Sequence, residues 1–330
     1  MKKKIRILFR TSGGKARGKQ LGMGHVFRCL NLAKTMKECE SHFLVEDFGG
    51  VSDVLTKNHI KNSTKLSKNI SEKRDYEQAS EYVKLNNIQI LIVDKYEIKN
   101  SFLKKLKKFV KVIVITDLAK KNFSSDLVIN GFIGFNNQVY INKFGTKCLL
   151  GPKYQILNRN FEKNSVSKKK IDILATFGGY DEKNIASLFY KIISCQEFKF
   201  KTKIISGPVG KKLRKRNKRI IIIQSTDNMQ KEISTSRFGF CTGGITTYEF
   251  AKEKIPFAII CDDKHQLKTA RIWDRKKVAI NLGLFNKKTE GKILDVLEKI
   301  HKSKLKLRKT TIVDGKGTRR VAREIVKILE

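Results

Sequence analysis

Short apolar runs alternate with amphipathic stretches along the whole chain. Runs rich in Ile, Val, Leu and Phe that end at Gly, Asp or Thr have the length and composition of strands buried on both faces. In the first half they predict strands over 4–11, 42–46, 89–94 and 111–116, with short extended segments at 126–130 and 147–150. Helical periodicity predicts helices over 25–37, 75–86 and 100–109. Residues 158–170 are polar and basic, with little period, and read as a linker. The pattern then restarts. A strand over 171–177 runs into Gly178-Gly179 and a helix over 184–195; strands follow at 201–206, 219–224, 237–242 and 256–261. Helices are expected at 228–235, 246–253, 265–277, 289–302 and 316–329. Strand, glycine turn and helix, repeated in two halves, predict an α/β chain of two doubly wound, Rossmann-like domains, 1–157 and 171–330, facing a cleft.

Length and composition narrow the classes. A chain of 330 residues suits two domains, and 40% hydrophobic residues suit two ordinary cores. The two cores account for the apolar faces, so a monomer is expected. No apolar run approaches the ~20 residues of a membrane span, and Arg6 and Arg10 interrupt the first one. The expected location is cytoplasmic. Six scattered cysteines form no Cys-x-x-Cys pair, and five separated histidines offer no ligand spacing, so neither a metal nor a cofactor is expected. The net charge of +40 could serve a nucleic acid, an anionic membrane surface or a small phosphorylated substrate. Spread along nearly the whole chain, it reads first as a compositional bias over solvated faces, with a secondary benefit to an anionic substrate. The run from Lys211 to Arg219 holds seven basic residues in nine, but no aromatic interleaves it and no nucleic-acid motif accompanies it. A specific nucleic-acid partner is therefore not expected.

The candidate chemistry sits at glycine turns. Gly22-Met23-Gly24-His25-Val26-Phe27-Arg28 delivers a histidine and an arginine to a helix start, where exposed N–H groups and the helix dipole favour an anion. His25 can act as a base near neutral pH, and Arg28 lies one turn on. The preceding Gly13-Gly14-Lys15-Ala16-Arg17-Gly18-Lys19-Gln20 nearly spells a P-loop. Gln20 stands where Ser or Thr must hold magnesium, so a basic loop over a phosphate or sugar is the better reading. In Cys241-Thr242-Gly243-Gly244-Ile245-Thr246-Thr247-Tyr248-Glu249, Thr246 and Glu249 fit a capping box, while Gly243-Gly244 would let a diphosphate approach the backbone. Glu249 is a candidate for ribose hydroxyls. Gly178-Gly179 forms a third turn, with Asp181 or Asn184 as cap. Asp262-Asp263 reads as a solvated cap, and Gln266 is placed to meet sugar hydroxyls.

In order along the chain these residues resemble the UDP-sugar hydrolases of pseudaminic acid biosynthesis, related to the lipid-II-forming N-acetylglucosaminyltransferase. The family's G-x-G-H-x-x-R-C-L-x-L-A matches Gly22 to Ala33, its L-L-G-P-x-Y matches Leu149 to Tyr154, and its S-F-G-G-x-D reads Thr176 to Asp181. Its A-G-G-S-T-x-x-E reads Thr242 to Glu249, with Ile245 in place of serine, and its N-Q reads His265-Gln266. D-H-Y becomes Asp94-Lys95-Tyr96, and D-D-L-A becomes Thr116-Asp117-Leu118-Ala119. The resemblance implies the glycosyltransferase-B (GT-B) fold, His25 as the catalytic base, and a UDP-sugar site including Gly22, Gly24, Arg28, Tyr96, Tyr154, Gly178, Gly179, Gly243, Gly244, Ile245, Thr246, Glu249, His265 and Gln266. The implied reaction is metal-independent hydrolysis, with inversion, of a UDP-linked 2,4-diacetamido-2,4,6-trideoxyhexose. A UDP-sugar-dependent glycosyltransferase is the alternative. An exposed apolar patch on the first domain would favour a membrane-bound acceptor.

Overall fold

The computed structural model describes residues 4–15, 21–164, 167–195, 197–210, 213 and 218–329. Most of the Lys211–Arg219 run and residues 16–20 of the near-P-loop lie outside them. Two compact units emerge, Met1–Arg159 with Gly315–Glu330, and Asn160–Asp314.

Unit 1 contains β1 (Arg6–Gly13), α1 (Gly24–Thr35), β2 (Glu40–Asp47), α2 (Val51–Lys57), β3 (Asn62–Leu66), α3 (Glu72–Leu85), β4 (Ile90–Asp94), α4 (Asn100–Leu106), β5 (Lys111–Thr116), β6 (Leu127–Asn130), β7 (Gln138–Ile141) and β8 (Lys147–Leu150). The strands form one sheet in the order β3-β2-β1-β4-β5-β6-β8-β7. All neighbours run parallel except β7, which lies antiparallel on β8. The central strands are buried because helices cover both faces; β4 and β5 are largely apolar, while β1 buries Arg10, Thr11 and Ser12 among its apolar residues. Leu91, Val93, Val112 and Val114 meet Ala79 and Val83 of α3 and Phe102, Leu103 and Leu106 of α4.

Unit 2 contains β9 (Ile171–Thr176), α5 (Ile185–Cys195), β10 (Thr202–Ile205), β11 (Ile220–Ile223), α6 (Met229–Ser234), β12 (Ser236–Cys241), α7 (Thr246–Lys252), β13 (Phe257–Cys261), α8 (Lys264–Arg275), β14 (Ala279–Leu284) and α9 (Thr289–His301). Its sheet is parallel, in the order β11-β10-β9-β12-β13-β14. Phe177, Phe189, Phe240 and Ile293 centre the core. In both sheets the strand order reverses beside the first strand, between β1 and β4 and between β9 and β12. Ligands of open α/β sheets collect at the carboxyl ends of strands at such points.

The observed division departs from 1–157 and 171–330 at two places. The last helix, α10 (Gly317–Val326), packs in unit 1 rather than closing the second unit. Its start sits so close to Gln155 that a Cβ on Gly317 would lie 2.1 Å from the Gln155 carbonyl oxygen. Thr318 Oγ1 donates to the Leu157 carbonyl at 2.6 Å, and Val321 and Ile325 are fully buried. Within the expected linker, Arg159–Glu162 forms a short 3₁₀ turn that buries Phe161 completely.

Candidate functional site

In unit 1, His25 and Arg28 project from the first two turns of α1, beside the switch point. Met23, at the helix cap, gives no side-chain bond. Gly22 faces open space, where a Cβ would meet nothing within 4 Å, and Gly24 opens the helix. Asp94 ends β4 opposite Thr11 of β1 and is fully buried. Its Oδ1 lies 2.6 Å from His25 Nδ1. Arg28 grips the same carboxylate through Nε (2.9 Å to Oδ2) and Nη2 (2.7 Å to Oδ1), and its Nη1 reaches Asp117 Oδ2, just beyond β5, at 2.7 Å.

Arg28 Nη2 also lies 2.8 Å from His25 Nδ1, so the tautomer must be assigned. An unprotonated Nδ1 would set two lone pairs against each other across 2.6 Å, so we place a proton on that nitrogen, donated to Asp94. Nε2 is then the ring nitrogen available for chemistry. Burial opposes the charge on Arg28, but the Asp117 and Asp94 carboxylates outweigh it and hold the guanidinium protonated. Burial would likewise raise the Asp117 carboxyl, yet Arg28 keeps it below the usual carboxylate range. The Cys29 thiol, whose Sγ is 4.0 Å from Asp94 Oδ2, is pushed up by burial and is inert.

This geometry corrects the expectation for Arg28. Its side chain is 3% exposed and engaged by two carboxylates, so it steadies Asp94 rather than meeting a diphosphate. Tyr96 is half-buried two residues beyond Asp94. Tyr154 is buried, in a turn that Gly151 enters at φ +101°. Lys95 turns to the opposite side of the sheet, where it meets Asp75 at 2.6 Å. Asp75 also pairs with fully buried Arg10.

In unit 2, Gly178 takes φ +86°, and Val209 N donates to the Gly179 carbonyl at 3.1 Å, locking this turn to the loop after β10. Asp181 caps α5, accepting from Ile185 N (2.8 Å) and Ala186 N (2.7 Å). Asp263 caps α8 through His265 N and Gln266 N, as its sequence context predicts. His265 is half-buried beside it.

Two expectations change here. No capping box forms at α7: helical Ile245 occupies the cap with no side-chain bond, and the Thr246 hydroxyl turns to the Glu249 side chain. Burial lifts the Glu249 carboxyl to about 7. Gln266 Oε1 does not face open solvent as a sugar reader. It accepts from Gly243 N (2.9 Å) and Asp262 N (3.1 Å), tying the ends of β12 and β13 together. The same packing demands glycine at 243, where a Cβ would approach Gln266 Cβ to 2.7 Å, while Gly244 faces open space. Asp262 Oδ1 is buried without a hydrogen-bond partner, and burial with nearby Asp181 raises that carboxyl to about 7.

Sequence reasoning missed the role of Asp94 and Asp117. A carboxylate ending each of two adjacent apolar strands is the signal that marks them. Among the described residues, no group of three or more His, Cys, Asp or Glu side chains is arranged for a metal ion, and no helix is long and apolar enough to cross a membrane.

No family model matches the chain. The spore coat polysaccharide biosynthesis protein SpsG of Bacillus subtilis is 26% identical over 329 residues, covering 92% of this chain and 94% of SpsG. An uncharacterised protein of Methanocaldococcus jannaschii is 25% identical over 268 residues; the match covers 75% of this chain but spans only 54% of that protein. Among solved structures, MurG of Acinetobacter baumannii matches with a TM-score of 0.61 at 13% identity, over 98% of this chain and 99% of MurG. S. aureus MnaA, in complex with UDP, matches at 0.61 and 12% identity, over 98% and 97%. The glycosyltransferase SnogD of Streptomyces nogalater matches at 0.57 and 10% identity, over 99% and 96%. The fold is GT-B.

Proposed function

We propose that this chain is a UDP-sugar-dependent enzyme in which His25 deprotonates the oxygen that attacks the anomeric carbon. The observation that carries the reading is the 2.6 Å contact between His25 Nδ1 and a fully buried Asp94 at a switch point. Asp94 fixes the tautomer with Nε2 unprotonated and stabilises the imidazolium as the proton arrives. Arg28 and Asp117 hold Asp94 in place. A nucleoside diphosphate leaves as a stable anion, so no second carboxyl group is needed to protonate it, in contrast to ordinary glycosidases. The diphosphate is assigned to the turns at Gly178-Gly179 and Gly243-Gly244, with the open backbone at Gly244 as its closest approach and Glu249 toward the ribose. His265 and Tyr96 complete the set proposed to contact substrate.

The attacking oxygen defines the activity. Water gives the hydrolase that the sequence motifs imply, acting on a 2,4-diacetamido-2,4,6-trideoxyhexose on the way to a nonulosonic acid. A hydroxyl of an acceptor gives a glycosyltransferase. The comparisons favour the second reading, because SpsG bears a polysaccharide-biosynthesis name and SnogD is a glycosyltransferase. The deciding experiment is a panel of UDP-sugars without acceptor, in oxygen-18 water, with UDP release followed by phosphorus NMR. Sustained turnover with label on the sugar selects hydrolysis. Release only on adding an acceptor selects transfer. No release under either condition would reject the UDP-sugar reading.

A further inference from the structure

The outer edge of the unit 1 sheet is uncovered in a way that the fold does not require. All four residues of β7 are exposed, with Val139 at 56%, Tyr140 at 38% and Ile141 at 59%. Tyr140 pairs with Cys148, which points into the core shared with α3 and α4, so Tyr140 takes that face. Val139 and Ile141 take the other. The hairpin therefore presents apolar side chains on both faces of the sheet, contrary to the expectation that the two cores account for every apolar surface.

This hairpin is rigidly built. Asn142, 4% exposed, donates through Nδ2 to the carbonyls of Lys121 (2.8 Å) and Phe123 (2.9 Å) and accepts through Oδ1 from Phe144 N and Thr146 N. Gly145, at φ +72°, completes the turn. The same asparagine thus ties the hairpin to the segment 119–123, which walls a cavity of about 380 Å³ lined by Ile98, Phe123, Phe135, Lys120 and Lys121. Lys121 Nζ sits 3.6 Å from the centre of the Tyr140 ring, and Lys143 and Lys104 lie 5.3 and 5.6 Å from that of Phe144. Between Lys99 and Lys153 the chain carries eleven basic residues and two acidic ones, and those two, Asp117 and Asp126, face Arg28 and Lys107.

We propose that this edge is a docking face for an anionic phospholipid bilayer, with the β7 side chains entering the interface and Lys120 and Lys121 meeting lipid phosphates. Aliphatic groups ringed by lysines, with an aromatic at the boundary, match the chemistry of such an interface. A second copy would bring a like-charged edge against this one. A nucleic acid would leave Val139 and Ile141 with nothing to stack on.

The test uses the full chain and vesicles of phosphatidylcholine alone or with phosphatidylglycerol. Because the whole chain is basic, charge alone will draw it to anionic vesicles, so the apolar contribution must be read separately. Val139→Ser with Ile141→Ser should lower partition onto phosphatidylglycerol vesicles ~10-fold or more, and should abolish the fraction that survives about 0.5 M salt. Val139→Trp supplies a local probe, since Trp273, the natural tryptophan, is fully buried in unit 2. The emission of the introduced tryptophan should shift to the blue on anionic vesicles and be quenched by brominated lipid. Serine variants that bind as wild type, or a Val139→Trp emission untouched by brominated lipid, would overturn the proposal. So would concentration-dependent dimers that these serine substitutions abolish while vesicle binding stays unchanged. Competition by RNA without tryptophan quenching would reassign the face to a polyanion.

Discussion

Substituting Asp94→Asn keeps the shape of the side chain and removes one charge from a buried cluster. Arg28, 3% exposed, would retain Asp117 alone. Three charge-assisted contacts, at 2.6, 2.7 and 2.9 Å, would become neutral-acceptor contacts or be lost. Charged hydrogen bonds contribute about 1.5–3 kcal/mol against about 1 for neutral ones, and removing one partner of a buried ion pair costs about 3–5 kcal/mol. A loss near 3–5 kcal/mol would lower the Tm of unit 1 by ~6–20 °C. The chemical cost is separate. An amide cannot stabilise an imidazolium as a carboxylate does, and it can turn its NH₂ toward Nδ1 and reverse the tautomer. Turnover should fall ~10²–10⁴-fold. Calorimetric unfolding gives the first number, and UDP release at a temperature where both proteins are folded gives the second. Asp117→Asn is the control: it weakens the outer contact of Arg28, leaves the Asp94–His25 contact intact, and should keep turnover within ~10-fold. An Asp94→Asn protein with the wild-type Tm and turnover within ~3-fold would refute the assignment.

Glu249 and Asp262 are both raised to about 7 in the folded chain from carboxyl values near 4, so between those values the folded state binds more protons than the unfolded one. The stability of unit 2 should therefore fall as pH rises through that window, with a Tm several degrees lower at pH 8 than at pH 5 and a flattened profile in Glu249→Gln/Asp262→Asn, read by thermal unfolding. Gly317→Ala would force a Cβ against the Gln155 carbonyl and should cost unit 1 about 1–3 kcal/mol. Calorimetry should show the unit 1 transition lowered and that of unit 2 unmoved.

Most of the parallel strands were legible because burial on both faces writes itself as runs of Ile, Val, Leu and Phe. Three edge strands were not, because an edge lacks that burial: β3 carries Asn, Ser, Thr and Lys, β7 is exposed throughout, and β14 is only partly buried. The apolar stripe of α10 reads clearly as a helix, but periodicity is silent about which sheet it joins; the close seat of Gly317 on Gln155 decides that. His25 stood out through its flanking glycines. Its partners did not, since Asp94 lies 69 residues away and meets it only through the pairing of β1 with β4. Arg28 was misplaced for the same reason. Helical spacing puts it on the face of His25, and only the buried carboxylates reveal that its charge is already engaged. The capping box at Thr246 failed because Ile245 continues the helical backbone and takes the cap itself.

The most direct test of His25 as the base is the turnover of His25→Ala on the UDP-sugar that the wild-type chain consumes, with UDP affinity measured by calorimetry on the same preparation. Turnover lower by ~100-fold or more, with UDP affinity within ~3-fold of wild type, is the predicted result. Near-normal turnover in that variant would contradict it.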